Sequence, residues 1–312
     1  MSVRLVNSLA LATVGLGALS LSGSALGNPP IGDWRTPINL EALLGSSDAI
    51  NSPSIDGCVS LSRNGLELYF TSFRDGSADL FVTRRETTSD GFGAPQKLPP
   101  TVNTGANEAC PTIIGRNELH FLRSEGSDQG NLFVSRRNSR DWEAAQPFNR
   151  LYNTPGLEES VNVFEDDARR EVAIFSRRNP DGSGGVILQS VAGALPVPVE
   201  GGPNAEGSNN RPWVSRDGRF IAFDSTRNGG LGGPDIWFAE RETTEEPFGP
   251  AYTLPELNSP AGDLRPWISW DESQIFFSSN RAGSETPFPD IWMAERPRRT
   301  GPKTIQFPID EE

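Results

Sequence analysis

The chain has one histidine, two cysteines and two lysines in 312 residues. Each shortage removes a class of chemistry. The single histidine, His120, lies in the strand-like stretch "ELHFL" and reads as a packed blade residue. That argues against Ser–His–Asp and Cys–His nucleophiles, which need a histidine base. There is no Cys-x-x-Cys and no His-rich set of the kind that binds zinc. With only Lys97 and Lys303 as lysines, nearly all positive charge is carried by arginine. Arginine pairs with carboxylates in a bidentate fork, so many of these arginines are expected to be structural. Long Ala/Leu/Glu/Lys runs are missing after residue 50, whereas 32 glycines and 26 prolines are present. That balance favours strands and turns over helices. A net charge of −13 argues against nucleic acid and anionic membrane surfaces as partners.

The one extended apolar run lies at the start. Arg4 precedes "LVNSLALATVGLGALSL", and Ala25 and Gly27 are small residues placed as at a cleavage site. Residues 1–27 therefore read as a secretory signal peptide. The run is short for a membrane span, and no cysteine follows it to carry a lipid. The expectation is an exported protein, periplasmic or extracellular, with no membrane span once the signal is removed. It is expected to be a monomer.

The remainder repeats. "SRDGRFIAFDSTRNGGLGGPDIWFAER" (215–241) is echoed at 269–296 and at 62–85, and more weakly at 115–137 and 165–190. Before each copy comes a short element opened by Asn51, Asn103, Asn153, Asn204 or Asn258, at intervals of 52, 50, 51 and 54 residues. Each unit has room for four strands, and dipeptides such as Asp217-Gly218 suit tight hairpins. Second strands such as "QIFF" are almost wholly apolar, as in a sheet covered on both faces. The glycines of "STRNGGLGGPDIWFAER" are followed by a strand pattern and by no Gly-Lys-Ser/Thr, so they are not a phosphate loop.

Four strands repeated around an axis make a β-propeller. The fold class expected is all-β: five four-stranded antiparallel blades over residues 28–296. The last copy ends after its third strand. The lone fourth-strand pattern "DWRTPINL" (33–40) is expected to complete that blade and close the ring. Residues 297–312 are left as a C-terminal tail. The motif S-x-D-G-x-x-I-x-F-x-S-x-R…D-I-W-x-A-x-R resembles the WD40-like propeller repeat of the TolB type, across essentially all of 33–296. The resemblance implies an exported bacterial propeller that binds proteins or other ligands. Repeats 2 and 3 lack its Asp-Ile-Trp element.

Comparing the repeats nominates residues. Four places after the second-strand Phe stand Arg74, Arg227 and Arg281 in repeats 1, 4 and 5. The third strands of those same repeats open with Asp79, Asp235 and Asp290. Their shared occurrence predicts Arg–Asp pairs across the base of each loop. The short elements carry Asp56, Glu108, Glu158 and Asp263, with Asn209 in the fourth copy. Two residues later come Cys58, Cys110, Ser160, Arg211 and Arg265. Propeller topology puts these near the channel mouth. A ring of four acids beside Arg211 and Arg265 would suit a polar ligand or a cation such as calcium. Alternatively the acids hold their own loops. Cys58 and Cys110 occupy equivalent places in adjacent blades, expected to be on the order of 7–9 Å apart, beyond the usual disulfide Cα range unless the loops distort.

The first reading is an exported binding or interaction module. Its ligand, a protein or a glycan, would engage the face bearing the Gly-rich and Asn-to-acid loops. A second reading is a glycan-active hydrolase using channel-mouth carboxylates, with Trp213 and Trp267 available to stack on sugar. A third is a calcium-stabilised scaffold.

Overall fold

The computed structural model describes residues 34–126, 130–138 and 141–297. The expected signal peptide (1–27) and the tail beyond Pro297 lie outside the described residues.

Five four-stranded antiparallel sheets are arranged as a ring. In blade 4 the strands run Asn209–Val214, Phe220–Ser225, Asp235–Glu240 and Tyr252–Thr253, from axis to rim. The inner strands of the other blades are Asp56–Leu61, Asn107–Ile114, Leu157–Glu165 and Asp263–Ile268. Blade 5 takes its outer strand from the start of the described chain, where Ile38–Asn39 pairs with Met293 and Trp292. The ring is thus closed by backbone hydrogen bonds between the two ends of the propeller.

The core lies between blades. Phe276, Ile291 and Met293 of blade 5 pack against Val59, Phe70 and Phe81 of blade 1, and all six are buried. Similar layers join blades 1 and 2 through Tyr69 and Phe121, and blades 3 and 4 through Ile174 and Phe223. Covering both sheet faces removes the reason for polar alternation, which is why second strands read as continuous apolar runs.

Each inner strand carries a bulge at the same place. Pairing with the second strand slips between Gly57 and Ser60, Ala109 and Thr112, Glu159 and Asn162, Asn210 and Trp213, and Leu264 and Trp267. Inside the slip, Cys58, Cys110, Ser160, Arg211 and Arg265 all have positive φ, between 49° and 60°. This left-handed geometry is unusual for residues other than glycine. Its recurrence in all five blades makes it part of the architecture. The freed N–H turns to the preceding blade: Cys58 donates to Ser278 Oγ (3.0 Å), Cys110 to Thr71 Oγ1 (2.9 Å), Arg211 to Ser176 Oγ (3.0 Å) and Arg265 to Asp224 Oδ1 (3.1 Å).

The bulge also brings Cys58 and Cys110 together. Their Cα atoms are 4.8 Å apart and their sulfurs are bonded. The separation expected from regular inner strands was too long because it ignored the bulge.

Candidate functional site

The upper face carries the Asn-to-acid elements and the Gly-rich loops. All five asparagines clamp the third strand of the blade before them. Asn103 accepts from Leu80 N (2.8 Å) and returns Nδ2 to Leu80 O (2.9 Å), and Asn153, Asn204 and Asn258 repeat the exchange. Asn51 accepts from Ile291 N across the closure (2.8 Å).

The acids one turn later face inward to their own loops. Asp56, Glu108, Glu158 and Asp263 are fully buried. One oxygen of each accepts the backbone N–H of Ser52, Thr104, Thr154 or Ser259. The other accepts an arginine: Arg74 (3.0 Å), Arg123 (2.8 Å), Arg177 (2.7 Å) and Arg281 (2.6 Å), respectively. In blade 4 Asn209 takes the acid's place and accepts from Arg227 (2.8 Å). Every one of these arginines also donates to the carbonyl just before the clamping asparagine: Ile50, Val102, Tyr152, Pro203 or Leu257.

Two expectations are corrected by this geometry. Asp56, Glu108, Glu158 and Asp263 do not present an open acidic ring, since both oxygens of each are already engaged within the blade. The pairs expected between Arg74 and Asp79, Arg227 and Asp235, and Arg281 and Asp290 are replaced by the pairs just described. Asp79 instead accepts from Lys97 Nζ (2.8 Å), Asp290 from Asn39 Nδ2 (3.1 Å) and Glu285 N (3.0 Å). Asp235 Oδ2 accepts the N–H groups of Leu231 (2.9 Å) and Gly232 (3.3 Å), closing the Gly-rich loop. A Cβ at Gly230 would lie 2.0 Å from that oxygen, so the loop needs glycine there.

Toward the axis lies a second charged cluster. Arg211 grips Asp224 with Nε and Nη2, each at 2.8 Å, and reaches Glu159 with Nη1 (3.2 Å). Arg178 also donates to Glu159 (2.6 Å). Burial alone would raise the Glu159 carboxyl, but Arg211, Arg178 and Arg265 outweigh it and hold it below the usual range. Burial would likewise lower Arg211, but Asp224 and Glu159 hold it above the ordinary arginine value. Arg265, which sequence reasoning grouped with Arg211, has no carboxylate in salt-bridge range among the described residues. These are the two arginines expected beside the ring acids, and the structure sets them deeper, in the channel.

Below the cluster the channel widens into a cavity of about 960 Å³ opening on the lower face, where the first and second strands join. Trp213, Trp267 and Trp270 line it, with Thr112 and Asn162 deeper in. Trp270 is half exposed and is flanked by Arg63 (4.5 Å from its ring centroid) and Arg216 (5.4 Å). Glu165, Glu171, Asp217 and Glu272 also border it. Asp217 holds its hairpin, accepting from Ser215 Oγ (2.6 Å) and Arg219 N (3.3 Å). Glu165 and Glu171 are direct cross-strand partners. Like charges at that position disfavour pairing, and Arg169 Nη1 (3.0 Å) offsets the Glu165 charge. Glu272, from blade 5, faces solvent and Arg296 (3.3 Å). A second cavity of about 680 Å³ shares Arg63, Ile113 and Gly115 with the first, extending the cleft outward between blades 1 and 2.

The open cavity is therefore on the face opposite to the one expected. Sequence reasoning named Trp213 and Trp267 but missed Trp270, Arg63, Arg216 and Glu272. A signal was present: the hairpin position held by Arg63, Arg116 and Arg216 in blades 1, 2 and 4 is Trp270 in blade 5.

No family model matches the chain, and no curated protein matches it. Solved structures do. The GH43 endo-arabinanase from Bacillus licheniformis superposes with a TM-score of 0.54 at 13% identity, covering 80% of this chain and 96% of its own. The alpha-L-arabinofuranosidase from Lactobacillus brevis gives 0.51 at 16%, covering 80% and 92%. A putative TolB from Agrobacterium tumefaciens gives 0.47 at 16%, covering 81% of each. At these identities the likeness is one of fold. Most of the top matches are glycoside hydrolases of families 43 and 62, which goes against the first expectation of a binding module and toward the second reading. The chain is similar in fold to these glycoside hydrolases.

Proposed function

We propose that this protein is a glycan-active hydrolase whose substrate enters the lower-face cavity. The observation that carries the reading is the cavity itself. It has three tryptophans along the wall formed by blades 4 and 5, a volume of about 960 Å³, and carboxylates from two separate blades. Flat indole faces stack on the apolar faces of sugar rings, and a cavity of this size holds a ligand of a few rings. The cleft running outward between blades 1 and 2 suits a polymer better than a free monosaccharide.

Glycoside hydrolysis needs two carboxyl groups flanking the scissile bond, one to protonate the leaving oxygen and one to activate water or attack the sugar. Glu272 on the blade 5 wall and the Glu165/Glu171 pair on the blade 3 wall are the groups proposed for those roles. Trp270, held between Arg63 and Arg216, would form the platform at the rim.

The fold neighbours support trying arabinan and xylan first. The disulfide supports an oxidising compartment and so the export expected from the sequence. The test is reducing-sugar release from a panel of plant and bacterial polysaccharides. Glu272→Gln and Glu171→Gln are expected to lower turnover by about 10³-fold or more at unchanged melting temperature. Absence of hydrolysis across the panel, or variants as active as the parent, would overturn the reading.

A further inference from the structure

The axial cluster is unbalanced. Three guanidiniums, from Arg178, Arg211 and Arg265, meet two carboxylates, from Glu159 and Asp224. Four of the five groups account for one another: Arg211 spans Asp224 and Glu159, and Arg178 takes the remaining reach of Glu159. Arg265 is the surplus cation. Its backbone N–H goes to Asp224, but its Nε is buried with no acceptor among the described residues.

This guanidinium does not drift there by chance. Its Cα has φ of 60°, fixed by the bulge common to all blades, and its side chain crosses toward blade 1, with Nη1 near Gly57. Beside it is a small cavity, walled by Arg211, Arg265, Cys58, Ser160 and Trp267, that leaves about 10 Å³ for the centre of a water-sized solute. That is room for one small solute. The cavity shares Thr112, Asn162 and Trp267 with the large one below, so a route for a small solute leads in from the lower face.

We propose that this pocket is a binding site for a monatomic monovalent anion, chloride in a physiological medium. Charge selects the sign: the cluster carries one positive charge in excess. Size selects the species, since the space takes one small solute and leaves no room for a polyatomic anion such as sulfate. Chemistry supplies the donors: the unpartnered Nε of Arg265, with Ser160 also lining the pocket. Burial, reinforced by Arg211, already pulls the Arg265 guanidinium down to about 10, and an anion beside it relieves that cost. The site joins blade 5 to blade 1 across the ring's closure, so occupation stabilises the closed propeller. It is independent of what the large cavity does.

The test is thermal unfolding of the full chain in sodium chloride and in sodium gluconate at equal ionic strength. Gluconate is too large to enter and controls for general screening. Binding to the folded state alone raises the melting temperature with the logarithm of one plus the ratio of anion concentration to dissociation constant. At ten times the dissociation constant the expected rise is roughly 2–3 °C for a ring of this size. The rise continues logarithmically with chloride or bromide concentration and is lost in Arg265→Met. Equal melting temperatures in chloride and gluconate overturn the proposal, as does an undiminished chloride response in the variant. Should Arg265→Met fail to fold, anomalous scattering from bromide-soaked crystals decides: a peak within contact of Arg265 Nε supports the site, and none there refutes it.

Discussion

Replacing Glu158 by alanine distinguishes a structural ring acid from a catalytic one. The carboxylate is fully buried and accepts from Thr154 N (3.1 Å), Thr154 Oγ1 and Arg177 Nε (2.7 Å). Removing one partner of a buried ion pair costs about 3–5 kcal/mol, because the other charge is left without compensation. The Arg177 side chain is 26% exposed, so water recovers part of that loss. The two Thr154 donors add about 1 kcal/mol each where water does not replace the acceptor. A net cost of about 3 kcal/mol follows, or about 6 °C in melting temperature for a propeller of this length. Urea unfolding of Glu158→Ala, Arg177→Met and the double variant measures it. The two groups are expected to be coupled by about 1–2 kcal/mol. At 25 °C the folded Glu158→Ala protein is expected to hydrolyse glycan at the parental rate. A cost under about 1 kcal/mol, or the same cost with and without Arg177, would refute the pairing argument. A stable but inactive variant would return Glu158 to the list of catalytic candidates.

Two further outcomes follow from the same contacts. The Cys58–Cys110 bond closes a loop of 52 residues between blades 1 and 2. Loop-closure entropy assigns it about 4 kcal/mol, so reduction or the Cys58→Ser/Cys110→Ser variant should lower the urea midpoint, and an unchanged midpoint counts against a bonded pair. Glu118 accepts from His120 (3.3 Å) and pairs with Arg136 (2.8 Å), which bring its carboxyl down to about 2 from about 4.5. Because the folded value is the lower one, its contribution is complete above about pH 4.5 and is lost as pH falls toward 2. The side chain is one-third exposed, so the effect is expected to be under about 1 kcal/mol. Glu118→Gln should flatten the stability profile in that window, and an unaltered profile contradicts the assignment.

Much of the fold was legible because the repeat itself is physical. Strand-period patterns, hairpin dipeptides and a roughly 50-residue spacing of asparagines are local signals, and closure by "DWRTPINL" follows from counting strands. The partners of the arginines were not legible in the same way. In blades 2 and 3 the arginine stands two places after the second-strand Phe, at Arg123 and Arg177, directly across from Glu108 and Glu158. In blades 1 and 5 it stands four places after, at Arg74 and Arg281, and reaches past a serine to Asp56 and Asp263. The longer acid goes with the directly opposed arginine, and the shorter acid with the arginine reaching back from beyond the strand end. A column-by-column alignment hides this exchange and makes Asp79, Asp235 and Asp290 look like the partners. The left-handed bulge was equally hidden, since Cys, Ser and Arg are not residues that announce positive φ. Missing it made the disulfide look too long.

The division between shared and unshared residues then orders the function. What recurs in every blade, from the asparagine clamp to the acid or its amide substitute and the arginine beneath it, is consumed in joining loop to strand and blade to blade. An identical device five times over can close a ring, but by itself it gives a ligand no preferred orientation around the axis. Directionality has to come from where the blades differ. At the channel position two residues after the bulge, blades 2 and 3 place Thr112 and Asn162, whereas blades 4 and 5 place Trp213 and Trp267. At the lower hairpin, arginine in blades 1, 2 and 4 gives way to Trp270 in blade 5. One side of the cavity is therefore polar and the other aromatic, with Glu272 on the aromatic side and Glu165 and Glu171 from blade 3. A sugar stacked on the tryptophans presents its edge hydroxyls and glycosidic oxygen to the polar side. The broken symmetry, and not the repeat, is what makes the lower cavity a site.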